Sequence, residues 1–335
     1  MRICYGLPGI CSSDAGKDNE TRSSCAGAQS RRGVALGYFD GVHKGHRKLL
    51  RTLVKECRER GLIPAVYTFK NHPSTVLAPE HPLRLLSTNA EKARLMEAEG
   101  IEELYFDTFD TAFAKQSPEE FVRRVLEEGL GAALAVIGTN YTFGNGGAGD
   151  SRLLKTLCAK AGIDTVTVSK VRADDPESNG GKAGTAAVSS TLIRERLAEG
   201  RVEAFKRLTG RLYAAEGTVI GGRQAGRKMG FPTANIAPDP ELQMPAVGVY
   251  ATYAILPDGR RFMGITNIGD APTFEGTRQI MVETNLLDYE GDLYGQRLRV
   301  EFVSRMRDQK KFDSAEALRR QLLSDVAERR IKEKI

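Results

Sequence analysis

The stretch GYFDGVHKGH, residues 37–46, sets two of the chain's four histidines three positions apart between glycines. An apolar run precedes it and a helical pattern follows. Imidazoles at such a junction can serve a metal, a proton or a phosphate. A metal is the poorer reading, because no Cys or acidic pair at ligand spacing accompanies His43 and His46. A histidine that only satisfies turn backbone explains one imidazole and leaves the other over. Phosphate suits both. Gly37, Gly41 and Gly45 let backbone approach an anion, and the helix start offers unpaired N–H groups with a favourable dipole. Histidines placed there donate to phosphate oxygens as charge builds on them, which stabilises a transition state without abstracting a proton.

Three more stretches bear chemistry. In VSSTLIRERL (188–197), Ser189, Ser190 and Thr191 open a helix and Arg194 sits one turn inside it. That set can clamp a second phosphate, although alone it fits an ordinary N-cap with a solvent-facing arginine as well. GGRQAGRKMGFPTAN (221–235) carries Gly222, Gly226 and Gly230 among Arg223, Arg227 and Lys228. Such a loop can wrap an anion or be a mere turn, and it is no P-loop, since no Gly-Lys-Ser/Thr follows. Beyond it, Thr233 and Asn235 point to one side of an extended chain. Their oxygens suit Mg²⁺ beside phosphates, or they bond their own backbone. Glu283, between apolar neighbours in IMVETNLLDYEGDLYG (280–295), can accept a hydroxyl proton during phosphoryl transfer or pair with a surface lysine.

These residues need elements to hold them. Apolar runs at Val34–Phe39, Ile63–Phe69, Leu104–Phe106, Ala133–Ile137 and Thr165–Val168 alternate with helical patterns at 47–60, 91–99, 117–130 and 152–161. That alternation predicts a Rossmann-like parallel sheet with helices on both faces, and such sheets bind ligands beyond the strands' carboxyl ends. The polar segment 172–187 reads as a loop, as do most of residues 1–31. Helices at 190–199 and 202–208 connect to a second pattern of strands at 217–220, 249–256, 261–268, 280–287 and 298–304, closed by a helix at 314–330. PDG (257–259) and EGD (290–292) predict hairpins between neighbouring strands. A small antiparallel β-barrel follows. The fold class is α/β plus barrel, with domains at 1–186 and 207–335 and connecting helices at 187–206.

At 335 residues the chain can bury two cores. Its net charge of +6 fits polyanionic ligands such as nucleotides, but no basic run marks a nucleic-acid tail. Five cysteines without a C-x-x-C pair argue for free thiols in a reducing compartment. No apolar run approaches the ~18 residues of a membrane span, and the N-terminus lacks a secretory pattern, so cytoplasm is expected.

GYFDGVHKGH, YTFKNHPSTVL (67–77), VIGTNYTFGNGGAGD (136–150) and VSSTLIR, in this order, resemble the adenylyltransferase half of the bacterial bifunctional riboflavin kinase/FMN adenylyltransferase family. GGRQAGRKMGFPTAN, GVY (248–250), NIGDAPTF (267–274) and the Glu283 stretch resemble its kinase half. The resemblance implies two ATP-dependent steps, riboflavin to FMN and FMN to FAD. It implies that His43, His46, Ser190, Thr191 and Arg194 hold ATP phosphates, with Gly37, Phe39, Asp40 and Gly45 beside them. It puts Asn71 and Asn140 near flavin, Gly222, Gly226, Arg227 and Gly230 near the second ATP, Thr233 and Asn235 on Mg²⁺, and Glu283 as base. Tyr38 and Asn140 depart from the family pattern, which often has Asn and an acidic residue there. Rivals on the residues alone are an aminoacyl-tRNA synthetase-like enzyme and a non-catalytic flavin or nucleotide sensor. The first lacks its lysine loop. The second sits poorly with intact His43, His46, Thr233, Asn235 and Glu283.

Overall fold

A computed structural model describes residues 1–7, 31–176, 184–221, 231–272 and 278–332. The chain divides into two compact units, Met1–Arg172 and Ala173–Ile335.

In the first unit, strands β1 (Arg2–Tyr5), β2 (Arg32–Leu36), β3 (Ile63–Phe69), β4 (Glu103–Asp107), β5 (Ala132–Gly138) and β6 (Asp164–Val168) form one sheet. Their order is β1-β4-β3-β2-β5-β6, and every adjacent pair is parallel. Both faces are covered. Val34 and Leu36 pack with Ala135, Ile137 and Tyr67, while Ala35 between them packs with Val66, Leu134 and Val136 on the other face. This two-sided burial is why the strands read as continuous apolar runs.

Helix Lys44–Arg60 buries Leu49, Leu50, Leu53 and Cys57 on the sheet and stops at Gly61, whose φ of 64° suits a glycine. The helix beginning at Pro118 has the full capping box of Ser117 and Glu120, then widens into π-type turns over Val122–Gly129. The expected strand Val34–Phe39 is shorter than its apolar run: it closes at Leu36. Phe39 turns left-handed (φ 56°), and residues 40–42 wind into a 3₁₀ turn.

The segment expected as a loop at 172–187 contains two short strands, β7 (Arg172–Asp174) and β8 (Thr185–Ala187), which form a two-stranded sheet. Helices Ser190–Ala198 and Val202–Thr209 follow. The second unit then builds a closed barrel from β9 (Tyr213–Ile220), β10 (Thr233–Ile236), β11 (Gly248–Ile255), β12 (Arg261–Pro272), β13 (Arg278–Leu286) and β14 (Arg297–Arg307), in the order β10-β13-β12-β11-β14-β9. The PDG turn joins β11 to β12, which pair antiparallel as expected.

EGD does not make a hairpin. β14 pairs with β11 and β9, and β13 with β12 and β10, so the chain crosses between non-neighbours there. Barrel closure decides this, because a turn signal states that the chain reverses and not which strand it rejoins.

Inside the barrel the hydroxyls of Thr252, Thr266 and Thr284 form a buried ladder with contacts of 2.8 and 2.9 Å. Gly264 makes room for it: a Cβ there would lie 2.7 Å from Thr252 Oγ1. Helix Ala315–Lys332 is tied down by Asp325, which accepts from Arg307, and by Arg329, which donates to the Thr252 carbonyl and lies over the Tyr253 ring.

Candidate functional sites

The first site grows from the carboxyl end of β2. Leaving the strand, the backbone takes positive φ at Phe39 (56°), Gly41 (74°) and Val42 (36°). Such conformations persist in branched and aromatic residues only where surrounding structure enforces them, and they concentrate at functional sites. Several contacts enforce them here. The Gly41 N–H donates to buried Ser87 Oγ at 3.0 Å, and a Cβ on Gly41 would meet Leu86 Cδ1 at 2.9 Å. Both oxygens of the buried Asp40 carboxylate accept from the Leu86 N–H, at 2.9 and 3.0 Å. Asp40 therefore anchors the 86–87 segment against the turn. Gly37 sits flush with the Phe39 ring, where a Cβ would fall 3.1 Å from Cζ.

The turn delivers His43 as the N-cap of helix Lys44–Arg60, with Gly45 in its first turn. His43 Nδ1 accepts from the His46 backbone N–H at 3.1 Å. Neutral His43 thus carries its proton on Nε2 and can donate there. The two imidazoles stack at 3.6 Å, and the Phe39 ring meets His46 edge-on at 5.2 Å. Burial, reinforced by the charges of His43 and Lys92, holds the His46 imidazole well below the ordinary histidine range. Its Nδ1 is buried without a hydrogen-bond partner among the described residues. Two stacked imidazoles at a helix N-terminus, with His46 held in its neutral form, make a pair of donors suited to an anion.

The remaining expected residues of this half are dispersed. Asn71 is engaged by protein: its amide donates to the Phe109 carbonyl (2.8 Å) and Thr75 Oγ1 (3.0 Å), and it accepts from the Phe109 N–H (3.0 Å). That holds the loop after β3 to the turn after β4. Asn140 lies exposed just past the end of β5. In helix Ser190–Ala198 the cap is Ser189, whose Oγ accepts from the Leu192 N–H, with Ser190 and Thr191 in the first turn and Arg194 half-buried. This helix belongs to the second unit, and the histidines to the first.

The second site lies on β10 and its neighbours. The chain from Thr233, expected only as an extended piece, is a true strand (Thr233–Ile236) between β9 and β13. Asn235 stands opposite Glu283 and Glu283 opposite Asn267, so three adjacent strands place these side chains in one row on one face. Thr233 is one step along the row, opposite Asn285, whose amide donates to the Pro232 carbonyl at 2.7 Å. The Asn267 amide faces Glu283 Oε2 at 3.5 Å. Gln309 Nε2 donates to Asn267 Oδ1 (2.8 Å) and to the Ile268 carbonyl (3.2 Å), which fixes the Asn267 amide with its N–H₂ toward the carboxylate.

A cavity of about 510 Å³ opens beside this row, lined by Thr233, Asn235, Tyr289, Asp292 and Tyr294 among others. The crossing segment that was expected as a hairpin supplies one wall. Thr233 and Asn235 thus present hydroxyl and amide oxygens on one strand face into a nucleotide-sized space. That donor set fits a hard cation brought in with phosphates and is too weakly charged to hold one alone. Gly222, Gly226, Arg227 and Gly230 lie outside the described residues.

Sequence reasoning missed Lys92, Asn267 and Gln309. Lys92 is four residues before buried Met96 and beside buried Ala93, a helical phase that points inward. Asn267 had no signal beyond its place in NIGDAPTF, and Gln309 had none.

Comparison with known proteins agrees with this two-part arrangement. Residues 26–178 match the model of the FAD synthetase family, and residues 209–332 that of the riboflavin kinase family. A bifunctional riboflavin kinase/FMN adenylyltransferase of Bacillus subtilis is 36% identical over 304 residues, covering 90% of this chain and 92% of the relative. One from Escherichia coli is 32% identical, covering 87% and 90%. A crystal structure described as a macrolide-efflux protein of Streptococcus pneumoniae superposes with a TM-score of 0.81 at 32% identity, covering 91% of this chain and 95% of that one. Among the described residues no helix is long and apolar enough to cross a membrane.

Proposed function

The chain belongs to the bifunctional riboflavin kinase/FMN adenylyltransferase family, and from that premise we propose how its own residues divide the two reactions. In the barrel unit, riboflavin is phosphorylated by ATP to FMN and ADP. In the α/β unit, the FMN phosphate attacks the α-phosphorus of a second ATP, giving FAD and pyrophosphate. Substrates are riboflavin, FMN and ATP. The observation that carries the assignment is the Asn235–Glu283–Asn267 row beside the barrel cavity, separate in sequence from the His43–His46 stack.

In the kinase step Glu283 takes the proton of the ribityl 5′-hydroxyl as that oxygen attacks the γ-phosphorus. Thr233 and Asn235 would hold Mg²⁺, which when bound neutralises phosphate charge. Asn267 orients Glu283, and Gln309 orients Asn267. Losing one such hydrogen bond costs about 1 kcal/mol, a rate factor of about five. Gln309→Ala is therefore expected to slow FMN formation about fivefold and leave FMN-to-FAD conversion untouched, measured as separate initial rates. Equal slowing of both steps would remove Gln309 from this role.

In the adenylylation step the nucleophile is already anionic, so no general base is required. His43 and His46 donate to the phosphates, and Asn140 stands toward the flavin. The direct test incubates the protein with riboflavin, Mg²⁺ and ATP and separates flavins by chromatography. FMN is expected first and FAD after it. Absence of either product from active protein ends the two-step reading.

A further inference from the structure

Lys92 is buried to the last ångström of its side chain, and its Nζ has no hydrogen-bond partner among the described residues. A buried ammonium without acceptors is among the costliest groups a fold can carry, and in most proteins an apolar side chain takes its place. Each such orphan calls for a physical reason.

Its surroundings supply only part of one. Lys92 reaches from helix Asn89–Ala98 so that Nζ lies 3.9 Å from the Tyr38 ring centroid and 5.8 Å from that of Phe106 on β4. A cation over a π-face recovers some of the lost hydration. The Tyr38 ring is the nearer of the two and serves as the cation's seat. From the turn after β2, Asp40 attracts Lys92, but both its oxygens already accept from Leu86. From the start of helix Lys44–Arg60, His46 feels Lys92 as a like charge, together with His43. Burial pushes Lys92 down to about 8, against the pull of Asp40. One carboxylate, the His46 imidazole and two rings therefore face it, and among the described residues none gives its ammonium a hydrogen-bond acceptor.

We propose that Lys92 is a positioning residue of the adenylylation site, a buried cation left under-compensated so that the arriving nucleotide polyphosphate completes its compensation. This rests on reading His43 and His46 as the phosphate site. The cation does not touch the substrate. It acts through a low-dielectric interior, where a charge is felt strongly, and it keeps His46 a neutral donor.

Binding must then draw a proton onto Lys92 wherever it is partly neutral. The experiment titrates Mg-ATP, without flavin, into the full chain and into Lys92→Met at pH 8, by calorimetry in two buffers of different ionisation heat. The wild type is expected to take up roughly half a proton more than Lys92→Met. At pH 6.5, where Lys92 is already charged, that difference should vanish.

Lys92→Met should also lose tenfold or more in kcat/KM for ATP in FAD formation, keep its rate of FMN formation, and unfold at the same temperature or higher. A purely structural lysine predicts the opposite, with lower stability and both activities impaired. Equal proton uptake by the two proteins, or unchanged adenylylation in Lys92→Met, overturns the inference. The two readings fail separately. If His46→Ala retains full FAD formation, the phosphate site itself is misplaced. If His46→Ala is inactive while Lys92→Met matches the wild type, only the role of Lys92 falls.

Discussion

Glu283→Gln is expected to lower the conversion of riboflavin to FMN by on the order of 10³-fold, within the range of general-base catalysis, while supplied FMN is still turned into FAD. Gln keeps the volume and a hydrogen-bonding oxygen toward Asn267, so the row Asn235–Glu283–Asn267 keeps its packing. What it loses is the lone pair that takes the hydroxyl proton. The side chain is half-buried on the outer face of β13, with buried Thr284 beside it pointing into the barrel, so the exchange leaves the threonine ladder alone. Chromatography of products from riboflavin and, separately, from FMN measures the two steps. A Gln variant that forms FMN within a few-fold of the wild-type rate would show that Glu283 is not the base.

The sequence made some of these sites plain and hid others, and the division follows distance along the chain. His43 and His46 are legible because everything that makes them a site is local: the strand end, the glycines, the helix start. Thr233, Asn235 and Glu283 are legible as residue types, but their alignment is not. It depends on β10 entering the barrel between β9 and β13, and a strand of only four residues behind a proline is too short to carry a periodic signal. The EGD segment shows the same limit. Its turn chemistry is real, yet closure of the barrel sends the chain past the neighbouring position and makes it a cavity wall instead.

Asp40 and Asn71 show a different limit. Both sit in chemically suggestive motifs, and both spend their polar atoms on protein: Asp40 on Leu86, Asn71 on Phe109 and Thr75. Motif membership does not tell a residue that touches a ligand from one that shapes the loop around it. Lys92 is the converse. In the run EKARLM its residue type suggests a surface lysine, its phase with Ala93 and Met96 points inward, and the packing of Tyr38 and Phe106 over it shows the buried charge.

His46→Ala should reduce adenylylation of FMN by on the order of 10²–10³-fold, the cost of one preorganised donor at developing charge, and leave flavokinase activity at the wild-type level. Its second signature is in stability. Burial, with His43 and Lys92, depresses the His46 pKa, so between the ordinary value near 6.5 and the lower folded value the unfolded chain binds more protons than the folded one. Folding stability therefore rises with pH across that window, and it falls as pH drops below about 6.5. The alanine variant lacks this contribution, so its stability should decline less between pH 7 and pH 5, as denaturant titrations at each pH would measure. Parallel curves for the two proteins would mean that His46 is not held neutral by its surroundings. The neutral donor required for adenylylation would then have to be found elsewhere in the α/β unit.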